Sequence, residues 1–292
     1  MPAALALAGY LAALVLITGA ASPALLRLLQ RAGFDGATLE AVSLRVLEIV
    51  AIVLTVPLLA MLGGGSRCAW GLAARQRWWL RAGRGALIGV ASLGAVCVIL
   101  FVLDVRVLRV GLVADPSVWL AAFAGAAASA AVVAVKEEVF FRGGLFSALS
   151  RAGGTALALW AGAAVYAAAH FLDAPDAPAG EPLRSGFQVL GQALAAVARV
   201  ENLDSFVALL CAGVVLGVMR LRDGDIASCL GIHFGWVLSI KLCKKLTYIS
   251  DAAPMRALAG RHDDLIGWLA ALVLAVLAVV VWCWPRMPRT HA

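Results

Sequence analysis

The sequence predicts an all-α, polytopic transmembrane bundle of about eight spans. Of its 292 residues 63% are hydrophobic and only 14% charged, with a mean hydropathy of +0.95, against roughly 45–50% apolar and about 25% charged in soluble domains. The apolar residues come in runs of about 17–20, the length that crosses a hydrocarbon core about 30 Å thick at 1.5 Å per helical residue. The short alternating segments of a membrane barrel are absent.

Apolar windows place spans near 3–21, 46–62, 85–103, 118–150, 153–172, 205–220, 226–243 and 265–284. They read as a single membrane domain over 1–292, without a convincing internal repeat. The first run lacks a basic leader and a small-residue cleavage site, so an uncleaved helix is expected. Between the second and third runs, Arg67, Arg75, Arg77, Arg81 and Arg84 occur with no acidic residue among them, the composition of a cytoplasmic loop. This puts both termini inside for eight spans. Arg286 and Arg289 agree, and Lys244 and Lys245 argue mildly against it.

Trp70, Trp78 and Trp79 lie among those arginines, which suits a short amphipathic helix at the headgroups or a plain topogenic loop. The polar connection from Leu172 to Asp204 opens with Asp-Ala-Pro-Asp-Ala-Pro. Its Phe187, Val189, Leu190 and Leu194 could line one face of a further amphipathic helix, a lid or a passive loop. The six cysteines are scattered without a C-x-x-C pair, and neither zinc nor a disulfide framework is expected. The net charge of +7 is loop charge and gives no reason to expect nucleic acid.

The fourth run is anomalous, for Lys136, Glu137, Glu138 and Arg142 interrupt it. One charge at mid-membrane costs at least about 2.5–3.5 kcal/mol, so such a cluster must be paired or line a wet cavity. Glu138 and Arg142, four apart with the acid first, suit an ion pair. Glu137 points about 100° away from Glu138 and lacks that partner. If the chain turns near Gly153, antiparallel helices bring Glu137 and His170 to similar depth, with Tyr166 one turn before His170 on the same face. His233, in Gly-Ile-His-Phe-Gly-Trp, is the third candidate.

These residues resemble the CPBP family of membrane glutamic proteases, which includes the type II CAAX prenyl endopeptidases and bacteriocin-processing relatives. The resemblance covers about 115–245, the protease-like core. Its most specific piece is E-E-x-x-x-R, here Glu137-Glu138-Val139-Phe140-Phe141-Arg142. F-x-x-x-H appears as Tyr166-Ala167-Ala168-Ala169-His170, with tyrosine for phenylalanine. H-x-x-x-N/D keeps His233 but has Val237 where the family places a polar residue.

The resemblance implies a peptide or protein substrate in membrane lipid, a C-terminal or sorting segment among the options, and no cofactor or metal. It implies that Glu137 activates water assisted by His170, that His233 stabilises the oxyanion, and that Glu138 and Arg142 orient the site, with Tyr166 supporting. A bacterial inner (plasma) membrane location follows from the same likeness. Rival readings are a non-catalytic scaffold or immunity protein on the same fold, a proton-coupled transporter, and a zinc protease. No H-E-x-x-H helix favours the last.

Overall fold

The computed structural model describes residues 3–73, 77–109, 116–173, 182–250 and 252–284. Arg75, Arg286, Arg289 and residues 174–181 of the long polar connection therefore lie outside the described residues. The described helices are α1 (Ala3–Arg31), α2 (Leu39–Met61), α3 (Trp78–Val102), α4 (Pro116–Glu138), α5 (Phe146–Ala169), α6 (Pro182–Val197), α7 (Leu203–Asp223), α8 (Ala227–Leu246) and α9 (Trp268–Cys283). A π-helical segment, Val139–Leu145, joins α4 to α5.

The protein is an all-α membrane bundle. Helices satisfy their own backbone groups, which lipid cannot do. Among the described residues, five helical stretches have the length and hydropathy to cross a membrane: Ala3–Arg31, Leu39–Met61, Trp78–Val102, Trp119–Ala169 and Val200–Asp223. The fourth doubles back on itself. Gly153 and Gly154 leave helical conformation, Gly154 at φ +84°, a region open to glycine but strained for other residues. In consequence the rings of Phe141 and Tyr166 are 5.1 Å apart, where a straight helix would separate them by about 38 Å. The remaining apolar runs fall on α8 and α9.

Glycines set the helix contacts that matter most. α3 and α8 run parallel, with Gly85 and Gly89 of one against Gly231 and Gly235 of the other. A Cβ on Gly85 would sit 2.6 Å from the Ser228 carbonyl oxygen, and one on Gly231 would overlap that of Ala82. This is the small-residue packing that lets membrane helices meet backbone to backbone. α6 docks on α1 in the same manner through Gly186 and Gly19. Val189 and Leu190 of α6 are buried while Leu194 is exposed, so this amphipathic helix packs on the bundle through part of the face expected of it.

Of the two readings offered for 63–84, a short amphipathic helix or a plain loop, the described residues take the second: 62–73 are turns and coil, and Trp78 and Trp79 belong to the first turn of α3. Gly63, Gly64, Gly65 and the left-handed Gly71 explain the break. A two-stranded antiparallel ribbon also forms, β1 (Arg106–Leu108) with β2 (Thr247–Ile249), Arg106 opposite Ile249. The buried Arg106 locks it, donating Nε to Thr247 Oγ1 at 2.7 Å and Nη1 to the Asp264 carbonyl at 2.6 Å.

Candidate active site

The four charges in the fourth apolar run go to three places. Lys136 reaches α2, where it pairs with Glu48. Glu138 is fully buried and its Oε1 accepts from Arg142 Nη1 at 3.1 Å. Glu137 instead faces an internal cavity, its side chain 17% exposed and its Oε2 without a hydrogen-bond partner. Three of these charges are paired, and the fourth, Glu137, borders the cavity and His233 rather than lipid, which is how the segment tolerates its depth.

The π-helical turn follows directly on the two glutamates. A π-bulge breaks the regular i→i+4 ladder and is found frequently at functional sites. Here the Arg142 carbonyl accepts from Arg220 Nε at 3.1 Å, and Arg220 Nη2 also reaches the Ala69 carbonyl at 3.1 Å. Ser147 Oγ donates to that same carbonyl at 2.6 Å. Gly143 and Gly144 allow this, since a Cβ on either would meet Trp70, and one on Gly144 also Thr55. The arginine-rich connection is thus fastened to the back of the site.

His233 stands between the two glutamates. Its Nδ1 is 2.7 Å from Glu138 Oε1 and its Nε2 is 3.8 Å from Glu137 Oε2. A carboxylate that already accepts from Arg142 can only accept from the imidazole, so Nδ1–H is the donor and Nε2 faces Glu137. His170, at the C-terminal end of α5, has Nδ1 2.8 Å from the Tyr166 carbonyl. A carbonyl is likewise only an acceptor, which leaves His170 Nε2 free.

Tyr166 is buried in the middle, its ring 4.7 Å from His170, 6.1 Å from His233 and 5.1 Å from Phe141. The Arg142 guanidinium lies 4.3 Å from the centre of the same ring, a cation–π contact. All six residues singled out in the sequence, Glu137, Glu138, Arg142, Tyr166, His170 and His233, therefore meet at one place.

A cavity of about 560 Å³ opens beside them, lined by Glu137, Tyr166, His170 and His233 and by apolar side chains of α3, α4, α7, α8 and α9. Val237 is part of its wall, and Lys241, Lys244 and Lys245 stand toward the C-terminal end of α8. Gly71 accepts a backbone hydrogen bond from Ile226 at the other end of that helix, so the lysines and the arginine-rich connection are at opposite ends of the bundle. Among the described residues, no group of three or more His, Cys, Asp or Glu side chains is placed to hold a metal ion. All six cysteines are free.

Sequence reasoning missed the π-helix, the bracing by Arg220 and Ser147, and the anchoring of Trp236, whose Nε1 donates to Ser92 Oγ at 2.9 Å. The Gly143-Gly144 pair and the glycines spaced four apart in α3 and α8 were the available signals.

Residues 118–239 match the family model described as Type II CAAX prenyl endopeptidase Rce1-like. No curated protein and no solved structure matches the chain.

Proposed function

We propose, from the premise that residues 118–239 belong to the Rce1-like family of type II CAAX prenyl endopeptidases, that this membrane protein is a metal-independent glutamic endopeptidase using Glu137, His170 and His233. The observation that carries the reading is the Glu137 carboxylate, whose Oε2 makes no hydrogen bond and lies 3.8 Å from His233 Nε2, facing the same cavity as two histidines whose Nδ1 atoms are already engaged.

In this mechanism a water lies between Glu137 and the free His170 Nε2. Glu137 takes one water proton as the new C–O bond forms, and the carbonyl π electrons move onto oxygen. His233 in its protonated form donates Nε2–H to that oxyanion while Glu138 holds Nδ1–H. Collapse breaks the C–N bond, and Glu137 returns the proton to the amine. Glu138, itself held by Arg142, fixes the His233 ring and stabilises its imidazolium, the part a buried carboxylate plays behind a catalytic imidazole.

The cavity suits a short extended segment. Lys241 follows His233 by eight residues, a rise of about 12 Å along α8, which an extended peptide covers in three to four residues. A carboxylate at the lysine end and the scissile bond at Glu137 would fit a C-terminal segment. The domain is the whole chain, 1–292, around a protease-like core at about 115–245, and the membrane is the bacterial inner (plasma) membrane.

The test is cleavage of a membrane-anchored peptide library by the full chain in lipid, comparing wild type with Glu137→Gln and His233→Ala, each with and without chelator. Chelator-resistant cleavage lost in both variants is expected. Turnover unaffected by Glu137→Gln sinks the assignment, and loss of wild-type cleavage on chelation moves it to metal chemistry.

A further inference from the structure

The cavity around Glu137 is short of hydrogen-bond donors. A tetrahedral intermediate carries a full negative charge on the former carbonyl oxygen, and a peptidase site normally aims more than one donor at it. Both histidines already spend an N–H: His170 Nδ1 on the Tyr166 carbonyl at 2.8 Å and His233 Nδ1 on Glu138 at 2.7 Å. Neutral His170 therefore offers the cavity a lone pair, and His233, the oxyanion donor of the mechanism above, supplies a single N–H, from Nε2 of its imidazolium. The indole of Trp236 lines the cavity too, but its one N–H is bound to Ser92. Arg142 is held by Glu138 and by the Tyr166 ring face and does not line the cavity. Val237, one turn beyond His233, has no polar atom. Lys241 begins about 12 Å further along α8.

One polar group remains. Tyr166 is 3% exposed and lines the cavity together with Glu137, His170 and His233, and its hydroxyl makes no hydrogen bond among the described residues. Its ring cannot drift: Phe141, His170 and His233 surround it edge-on, and Arg142 sits 4.3 Å from its centre.

We infer that Tyr166 is a further catalytic residue of this site, its hydroxyl donating to the oxyanion alongside His233 and supplying the donor that Val237 lacks. The inference rests on the peptidase reading above. No proton leaves Tyr166. It gives a hydrogen bond as charge develops on the oxygen and releases it when the C–N bond breaks.

The experiment compares the full chain in lipid as wild type, Glu137→Gln, Tyr166→Phe and Tyr166→Phe/Val237→Asn. The readouts are kcat and KM on the membrane-anchored peptide library, binding of phosphinate analogues of the same peptides, whose P–O⁻ groups mimic the oxyanion, and the unfolding midpoint. Removing one oxyanion donor costs about 10²–10³-fold in kcat. Tyr166→Phe is expected to lose that much with KM within about twofold, since the interaction exists only in the transition state. Phosphinate affinity should fall in parallel, the unfolding midpoint should stay put, and Val237→Asn should return at least about tenfold of the lost rate.

Wild-type kcat or wild-type phosphinate affinity in Tyr166→Phe, where Glu137→Gln is inactive, overturns the role of Tyr166. So does a loss that tracks a lowered unfolding midpoint and that Val237→Asn does not recover. Cleavage indifferent to Glu137→Gln instead removes the peptidase reading itself, and the two failures are distinguishable.

Discussion

Adding one methyl group to α8 should disable the site from a distance. In Gly231→Ala the new Cβ would overlap the Ala82 carbonyl oxygen and lie 2.8 Å from both the Ala82 carbonyl carbon and the Ala86 nitrogen. All three are backbone atoms of α3 and cannot rotate away. Unstrained heavy-atom contacts need about 3.5–4.0 Å, so α8 must withdraw by about 1 Å or turn. His233 is two residues on, and its 2.7 Å bond to Glu138 leaves no slack for such a shift. Overpacking of this kind costs about 1–3 kcal/mol, and a misplacement of about 1 Å near the chemistry about 10²-fold in rate. Gly94→Ala is the matched control, in α3 but with nothing within 4 Å of its would-be Cβ. The assay is the unfolding midpoint in detergent together with peptide cleavage in lipid. A Gly231→Ala protein with wild-type midpoint and rate, or a Gly94→Ala protein equally damaged, would refute the claim that backbone contact between α3 and α8 sets the position of His233.

Arg142→Met leaves the fully buried Glu138 without its cation and should destabilise by about 3–5 kcal/mol, whereas Arg142→Met/Glu138→Gln should recover part of that; equal losses by chemical denaturation would contradict a buried pair. Gly154→Ala places a Cβ at φ +84° and should cost about 1–3 kcal/mol, and an unchanged unfolding midpoint would mean that the reversal tolerates other backbone geometry. Arg81→Ala strands the buried Asp225, which also accepts from the Ala227 N–H at 3.0 Å, and should lower stability by about 1–3 kcal/mol; Asp225→Asn, which keeps the acceptor, should cost less.

The spans and the Glu138–Arg142 pair were legible because each rests on a strong local signal, whereas Glu137, Tyr166, His170 and His233 were brought together by an assumed hairpin and by the family motifs. A 20-residue apolar run has few ways to exist other than as a helix in lipid, and Glu138 with Arg142 at a spacing of four pair on one helical face. A turn near Gly153 was the condition under which Glu137 and His170 come to one depth, and Gly153 and Gly154 leave helical conformation there. What was not legible depends on partners distant in sequence. Which atom of His233 meets Glu138 needs the depth of α8 relative to α4, and that depth is set by four glycines whose facing surfaces are backbone. The π-helix depends on Arg220 arriving from α7 to accept responsibility for the Arg142 carbonyl. Trp70 among arginines looked like a surface anchor, yet it packs on Gly143 and Gly144 behind the site.

The two departures from the family pattern bear on each other. A polar residue at 237 would put an oxyanion donor on α8, one turn from His233, while the hydroxyl of Tyr166 puts one on α5, one turn from His170. On the proposal made here the base, the water-positioning histidine and the second donor all sit on the two arms of one hairpin, α4 with its π-turn and α5. α8 then contributes His233 alone, and Val237 is released to form apolar wall against the substrate. This makes the reversal at Gly153 and Gly154 more demanding than in a site whose donors are shared between helices, because any splaying of the hairpin separates Glu137 from both His170 and Tyr166 at once. Gly154→Ala should therefore reduce kcat by more than its stability loss implies, while phosphinate affinity falls with it. A variant in which Val237→Asn supplies a donor from α8 should be the less sensitive of the two to the same change at Gly154.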